Sequence, residues 1–209
     1  MLRPPGNAAH RSGMPMSDQK RGKLVVISGP SGTGKTSICD GLLERIPDAV
    51  WSVSVTTRPK RGHEVDGRAY RFVSDEEFDR MLESGELLEH ATYVNHRYGT
   101  PRRPVEEALA QGKVVIMEID YQGAAQVAEK IPDSIRVFVL PPTRETLRAR
   151  LEGRRTESEE LQRRRLEKAD GEIAFAMASG VYPYIITNDI LEDSIQQVMD
   201  IIDKEQAKA

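Results

Sequence analysis

The sequence predicts an α/β domain, a parallel sheet flanked by helices, with a phosphate-binding loop after its first strand. Three observations predict it. Apolar runs of strand length recur at Leu24–Ser28, 114–119, Ile135–Leu140 and Tyr184–Thr187, continuous rather than alternating, as strands buried on both faces require. Helical stretches separate them, which is the βαβ rhythm of parallel strands. Between the first strand and the first helix stands Gly29-Pro30-Ser31-Gly32-Thr33-Gly34-Lys35-Thr36, a match to G-x-x-x-x-G-K-[ST] in the strand-to-helix context that gives this pattern its meaning.

Taken in order, residues 1–20 carry three prolines, two glycines and no apolar periodicity, and are expected to form a disordered tail before a domain spanning 21–209. After Gly34 a helical stripe runs through Ile38, Leu42, Leu43 and Ile46 and closes at Pro47. Residues 51–55 and 69–73 look like strands but break the parallel rhythm, so about 51–100 is expected to be an insertion on the core. Within it, Ser74 and Glu77 form a capping box that opens a helix carrying Phe78, Met81 and Leu82 and stopping at Gly85. Pro104 reads as the first residue of a helix running to Gly112. Residues 143–168 form a charged helix-turn-helix bending at Gly153, expected as a lid over about 143–169. Ile195, Val198, Met199 and Ile202 mark a last amphipathic helix. The core is then 21–50, 101–142 and 170–209.

Composition narrows the function. Apolar residues make up 38% and charged residues 30% of the 209, with a net charge of −3. The longest apolar run, 173–178, falls far short of the ~20 residues that span a membrane. A slightly acidic chain has no global attraction to nucleic acid, and its basic residues gather in two segments without interleaved aromatics. Cys39 is the only cysteine, so no internal disulfide can form and a reducing compartment, the cytoplasm, is expected.

The loop Gly29, Pro30, Ser31, Gly32, Thr33, Gly34, Lys35 and Thr36 has the parts a phosphate cradle needs. Glycines allow positive φ and turn N–H groups inward, Lys35 reaches the outer phosphates, and the Thr36 hydroxyl can serve Mg²⁺. Residues 54–73 then hold Arg58, Lys60, Arg61, Arg68 and Arg71 against Glu64 and Asp66, a local surplus of three positive charges. Guanidinium forks match phosphate oxygens, which suits a second phosphate; a solvated basic turn is the plainer alternative. Glu89 is followed closely by Tyr98 and Thr100. A carboxylate can accept from both N1–H and the 2-amino group of guanine, whereas adenine offers neither donor. Taken alone, Glu89 also reads as a surface acid.

With these residues in view, the chain resembles the guanylate kinases over about 23–204. The resemblance rests on the loop above, on Ser52-Val53-Ser54-Val55-Thr56-Thr57-Arg58-Pro59-Lys60-Arg61-Gly62 with Glu64, and on Gly67 to Val73. It continues through Glu89-His90-Ala91-Thr92-Tyr93 with Tyr98-Gly99-Thr100, Ile119-Asp120 with Gln122-Gly123, and Leu147, Arg150, Leu151 and Arg154 with Thr156-Glu157. It departs at Glu118, where some members have aspartate, and at His90, where some have an aromatic. It implies a P-loop nucleoside monophosphate kinase fold with a GMP-binding insertion and a helical lid. It implies transfer of the γ-phosphate of ATP to GMP or dGMP with Mg²⁺ as cofactor, and no nucleic-acid or membrane partner. By resemblance, Ser54, Glu89 and Thr100 read guanine, the hydroxyls being available to O6. Arg58, Arg61, Tyr70 and Tyr98 clamp the GMP phosphate, and Asp120 closes the site near GMP and the metal. Arg150, Arg154 and Arg165 face the transferring phosphate together with Lys35, and Asn188 contacts adenine. Which of Arg163, Arg164 and Arg165 points inward stays open. Two rivals also stand: a guanylate-kinase-like binding module without catalysis, against which the intact loop counts, and a P-loop kinase for another small molecule.

Overall fold

The computed structural model describes residues 21–62, 64–68, 70–93, 95–152 and 159–208. The expected tail over 1–20, the bend at Gly153 and the lid residue Arg154 therefore lie outside the described residues. The chain opens on β1 (Leu24–Ser28), buried throughout, and passes through the glycine loop into α1 (Lys35–Arg45). Ile46 sits extended (φ −93°, ψ 112°), as the residue before a proline prefers, so Pro47 ends the helix. Then come β2 (Val50–Trp51), β3 (Ser54–Thr56), β4 (Tyr70–Phe72), α2 (Asp75–Glu83), β5 (Leu87–Tyr93) and β6 (His96–Pro101). The remainder alternates: α3 (Arg102–Ala110), β7 (Val115–Glu118), α4 (Tyr121–Lys130), β8 (Ile135–Leu140), α5 (Arg144–Glu152), α6 (Glu159–Ala178), β9 (Tyr184–Thr187) and α7 (Leu191–Gln206).

Two sheets form. The core sheet is parallel in the order β2-β7-β1-β8-β9. Alternation along β1 splits the core: Val25 and Ile27 pack with Ile38 and Leu42 of α1 and Ile195, Val198 and Ile202 of α7. Leu24 and Val26 face the other way, onto Val105 and Leu109 of α3, Ala124 and Val127 of α4 and Ala176 of α6. Helices thus cover both faces, as a parallel sheet requires. The second sheet runs β4-β3-β6-β5, with β3–β4 parallel and the other pairs antiparallel. Helix α2 closes it through Phe78 and Met81 against Val55 and Leu87. Arg97 of β6 locks that helix, donating to the Asp75 carbonyl at 2.7 Å, pairing with Asp75 and Asp79, and lying over the Phe78 ring.

Four details differ from expectation. The single strand expected at 51–55 is two strands in two sheets, because Trp51 pairs with β7 and Ser54 with β4; the core sheet therefore reaches into the segment assigned to the insertion. Helix α3 starts at Arg102, which places Pro104 third; a missing N–H is harmless anywhere in a first turn. The capping box is half formed: Ser74 Oγ accepts from Glu77 N–H at 3.1 Å, but the Glu77 carboxylate pairs with Arg71. Helix α6 runs unbroken to Ala178, so the lid and core boundary drawn at 169 falls inside one helix.

Candidate functional site

A cleft of about 480 Å³ opens between the carboxyl ends of the core strands and the second sheet. Open parallel sheets bind ligands at that end. Its floor is the glycine loop. Gly29, Gly32 and Gly34 have φ of 147°, 91° and 88°, conformations that an L side chain rarely adopts. Gly34 caps α1 without a side chain, so the N–H groups of the first turn keep their capacity for an anion. Lys35 Nζ donates to the carbonyls of Gly29 (2.7 Å) and Pro30 (3.0 Å) and lies 3.9 Å from Glu118. Thr36 Oγ1 donates to the other Glu118 oxygen at 2.9 Å.

Asn188 braces the loop from behind. It is buried; its Nδ2 donates to the Thr33 carbonyl (2.7 Å) and its Oδ1 accepts from Ser194 Oγ (2.9 Å). The contact is so close that a Cβ on Gly34 would come within 2.3 Å of that nitrogen. The side chain that the resemblance places on adenine is engaged here by the loop. Arg150 donates to the Asn188 carbonyl at 3.3 Å and does not line the cleft. Arg165 does, while Arg163 and Arg164 are exposed and pair with Glu167 and Glu160 one turn away on α6. Of the three consecutive arginines, Arg165 is the inward one.

The opposite wall belongs to the second sheet. Between Leu87 and Glu89 two β5 residues oppose one of β6, a bulge that re-aims the side chains. Leu87 enters the cluster beneath α2, Leu88 enters the core-sheet cluster, and Glu89 lines the cleft. Glu89 is 3% exposed, and its Oε1 accepts from Thr100 Oγ1 at 2.6 Å. Burial pushes its carboxyl up to about 7; the Thr100 hydrogen bond opposes this, Asp120 reinforces it and Lys130 opposes it. Thr100 is fully buried and its hydroxyl is 3.3 Å from Ser54 Oγ. The hydroxyl expected to face a base oxygen thus supports Glu89 from behind, and Ser54 is the one on the cleft wall.

The four expected phosphate-clamp residues separate in the same way. Arg61, Tyr70 and Tyr98 line the cleft. Arg58 is buried, forked onto Glu64 at 2.7 and 3.0 Å, with its guanidinium 5.6 Å from the ring centres of Tyr70 and Phe72. The Arg58 fork and the Arg61 N–H hold the Glu64 carboxyl down to about 2. Burial pushes the Tyr70 phenol up to about 12. Asp120 caps α4, Oδ1 accepting from Gln122 and Gly123 N–H at 3.0 and 3.1 Å, and it also lines the cleft.

The cleft residues not singled out as site residues in the sequence include Glu118, Tyr93 and Glu172. An acid closing an apolar strand run is a readable signal for Glu118. Glu172 shares the α6 face of Arg165, Ala169 and Ala176, and a carboxylate on a buried stripe was its signal; burial raises its pKa while Lys168 and Lys35 lower it. Nothing local marks Tyr93.

Comparison with known proteins gives this arrangement its family. The guanylate kinase family profile matches residues 21–205. The chain is similar to the guanylate kinase of Symbiobacterium thermophilum, at 46% identity over 193 residues, 92% of this chain and 90% of that one. It is similar to that of Thermotoga maritima at 45% over 188 residues, 90% and 89% of the two chains. Among solved structures, the crystal structure of guanylate kinase from Anaplasma phagocytophilum superposes with a TM-score of 0.73 at 34% identity, over 90% of this chain and 87% of that one. A P-loop kinase fold matched over nearly its whole described length thus makes this chain a member of the guanylate kinase family.

Proposed function

We propose that the chain transfers the γ-phosphoryl group of ATP to GMP, and to dGMP, forming ADP and the nucleoside diphosphate. The observation that carries this reading is Glu89: a carboxylate 3% exposed, on the wall of the same cleft as the phosphate loop. The acceptor is a phosphate oxygen already largely ionised at neutral pH, so no general base is needed. Catalysis then consists of positioning two polyanions and neutralising charge as it shifts. The loop N–H groups and Lys35 hold the donor phosphates, with Lys35 leaving the Gly29 and Pro30 carbonyls for them. Arg61, Tyr70 and Tyr98 hold the acceptor phosphate, and Arg58 keeps that wall in place through Glu64. Ser54 turns its hydroxyl to guanine O6 while Glu89 accepts from N1–H and the 2-amino group. Arg165 faces the group in transfer, and by the resemblance Arg150 and Arg154 serve with it.

The second sheet with α2 serves as the GMP-binding insertion, and α5 with the first part of α6 as the lid that excludes water during transfer. The oxygen donors Thr36 and Glu118, hydrogen-bonded across the loop at 2.9 Å, fit Mg²⁺, which takes one or two protein oxygens besides phosphate and water. Bound there, the ion would neutralise phosphate charge during transfer. A reducing cytoplasm suits the one cysteine, buried and unpaired. The test is ADP release with ATP against GMP, dGMP, AMP, UMP and CMP. Turnover with both guanine nucleotides and none with the others is expected; equal turnover with AMP would overturn the assignment.

A further inference from the structure

Helix α4 grips strand β5 along one face. Gln126 takes both backbone groups of His90, accepting from its N–H at 3.2 Å and donating to its carbonyl at 2.6 Å. Lys130 donates to the Leu88 carbonyl at 2.6 Å. Strand β5 is the edge of its sheet, so the two side chains satisfy backbone groups that would otherwise need another strand. Glu89 lies between the two anchored residues, and its carboxylate is aimed at Gly123, one turn before Gln126. A Cβ at Gly123 would stand 2.3 Å from Oε2 and 3.0 Å from the carboxyl carbon of Glu89.

Nothing in the backbone asks for glycine there. Gly123 is the third residue of α4 and is absent from the positive-φ positions; alanine is the better helix former. The carboxylate cannot give way into the protein, because Thr100 holds Oε1 at 2.6 Å and Ile119 Cδ1 flanks the same spot, 3.3 Å from the added Cβ. The open side is the cleft. A side chain at 123 would therefore drive the carboxylate into the volume of the base.

We propose that Gly123 is a specificity-determining position: its missing side chain, set by the α4–β5 grip, fixes how deep the Glu89 carboxylate sits and so how strictly the cleft selects guanine. This rests on the reading of Glu89 as the group that meets the base edge. Gln126 and Lys130 are positioning residues for the same carboxylate.

Four purified proteins test it: Gly123→Ala, Glu89→Gln, Glu89→Asp and the double variant Gly123→Ala with Glu89→Asp. Each is assayed with GMP and with IMP, which keeps N1–H and O6 but lacks the 2-amino group. Gly123→Ala is expected to raise KM for GMP by about 10-fold, the loss of one charge-assisted hydrogen bond. It should narrow the GMP-to-IMP ratio, leave KM for ATP within about twofold and keep the melting temperature at or above that of the parent. Glu89→Asp withdraws the carboxylate by one methylene, so adding Gly123→Ala to it should change nothing further. A parental GMP-to-IMP ratio in Gly123→Ala, with Glu89→Gln impaired, would overturn the proposal. So would the same penalty in both backgrounds, or failure of the double variant to fold. Parental kinetics in Glu89→Gln would instead remove the reading of Glu89 itself.

Discussion

Burial of the Glu89 carboxyl comes at the expense of the fold. The carboxyl is pushed from an ordinary value near 4.5 up to about 7 by burial, so between those values the folded chain binds a proton that the unfolded chain has lost. Stability therefore falls as pH rises through that window and levels off above it, by roughly 3 kcal/mol at most. Glu89→Gln removes the ionisation, and its melting temperature relative to the parent should climb from pH 5 to pH 8; a constant difference would show that the carboxyl titrates normally. The same variant should lose about 10- to 150-fold in kcat/KM for GMP, with KM for ATP unchanged and rejection of AMP weakened. Arg58 and Arg61 divide differently. Arg61→Ala, exposed on the cleft wall, should raise KM for GMP without moving the melting temperature. Arg58→Ala leaves Glu64 without its fork and should lower both stability and GMP affinity. Identical profiles for the two variants would place both guanidinium groups on the phosphate.

Elements differ in how openly the sequence displays them. Strands β1, β8 and β9 begin and end where the sequence places them; β1 and β8 are buried almost throughout, whereas β9, at the edge of the sheet, is partly exposed and is marked by its run of large side chains alone. The β2–β3 break is hidden, since Ser52 and Val53 look like continuing strand while the chain passes from one sheet to another. The bulge before Glu89 is hidden too: Leu87-Leu88-Glu89 spells no alternation, and only the two-sheet packing shows why three successive residues are buried. The phosphate loop was legible because its chemistry is carried by adjacent residues. Its support was not, because Asn188 lies 155 residues from its partner Thr33. That brace makes loop geometry a property of two elements, the loop and the β9–α7 connection. Asn188→Ala leaves the Thr33 carbonyl without its side-chain donor, while the Ser194 hydroxyl keeps the Ile190 carbonyl at 3.1 Å, and should lower stability by about 1–3 kcal/mol. KM for ATP should rise while KM for GMP stays; equal effects on both substrates would argue for general loosening of the core.

On the scale of the whole molecule, two sheets and a helix pair must bring like-charged substrates together inside a chain of net charge −3. Positive charge is therefore local, with Lys35, Arg61 and Arg165 on three sides of one cleft. Holding those sides in register needs contacts across the rim, and one is visible: Lys168 of α6 lies 3.5 Å from the ring centre of Tyr93 on β5, with Glu172 3.8 Å from the same ammonium. Tyr93 also stands edge-on to Tyr98 at 6.4 Å, so the helix bearing Arg165 is coupled to the second-sheet wall of the cleft. A partly desolvated cation–π contact is worth about 1 kcal/mol. Removing it should make the assembled cleft rarer without altering either half. Tyr93→Ala is expected to lower kcat/KM for GMP roughly fivefold, with melting temperature little changed, and Tyr93→Phe, which keeps the ring face, should remain within about twofold of the parent. Lys168→Met should match Tyr93→Ala, and the double variant should be no worse than either single one, because both remove the same contact. Losses that simply multiply would mean that Lys168 and Tyr93 act separately, and that some other contact sets how α6 meets the second sheet.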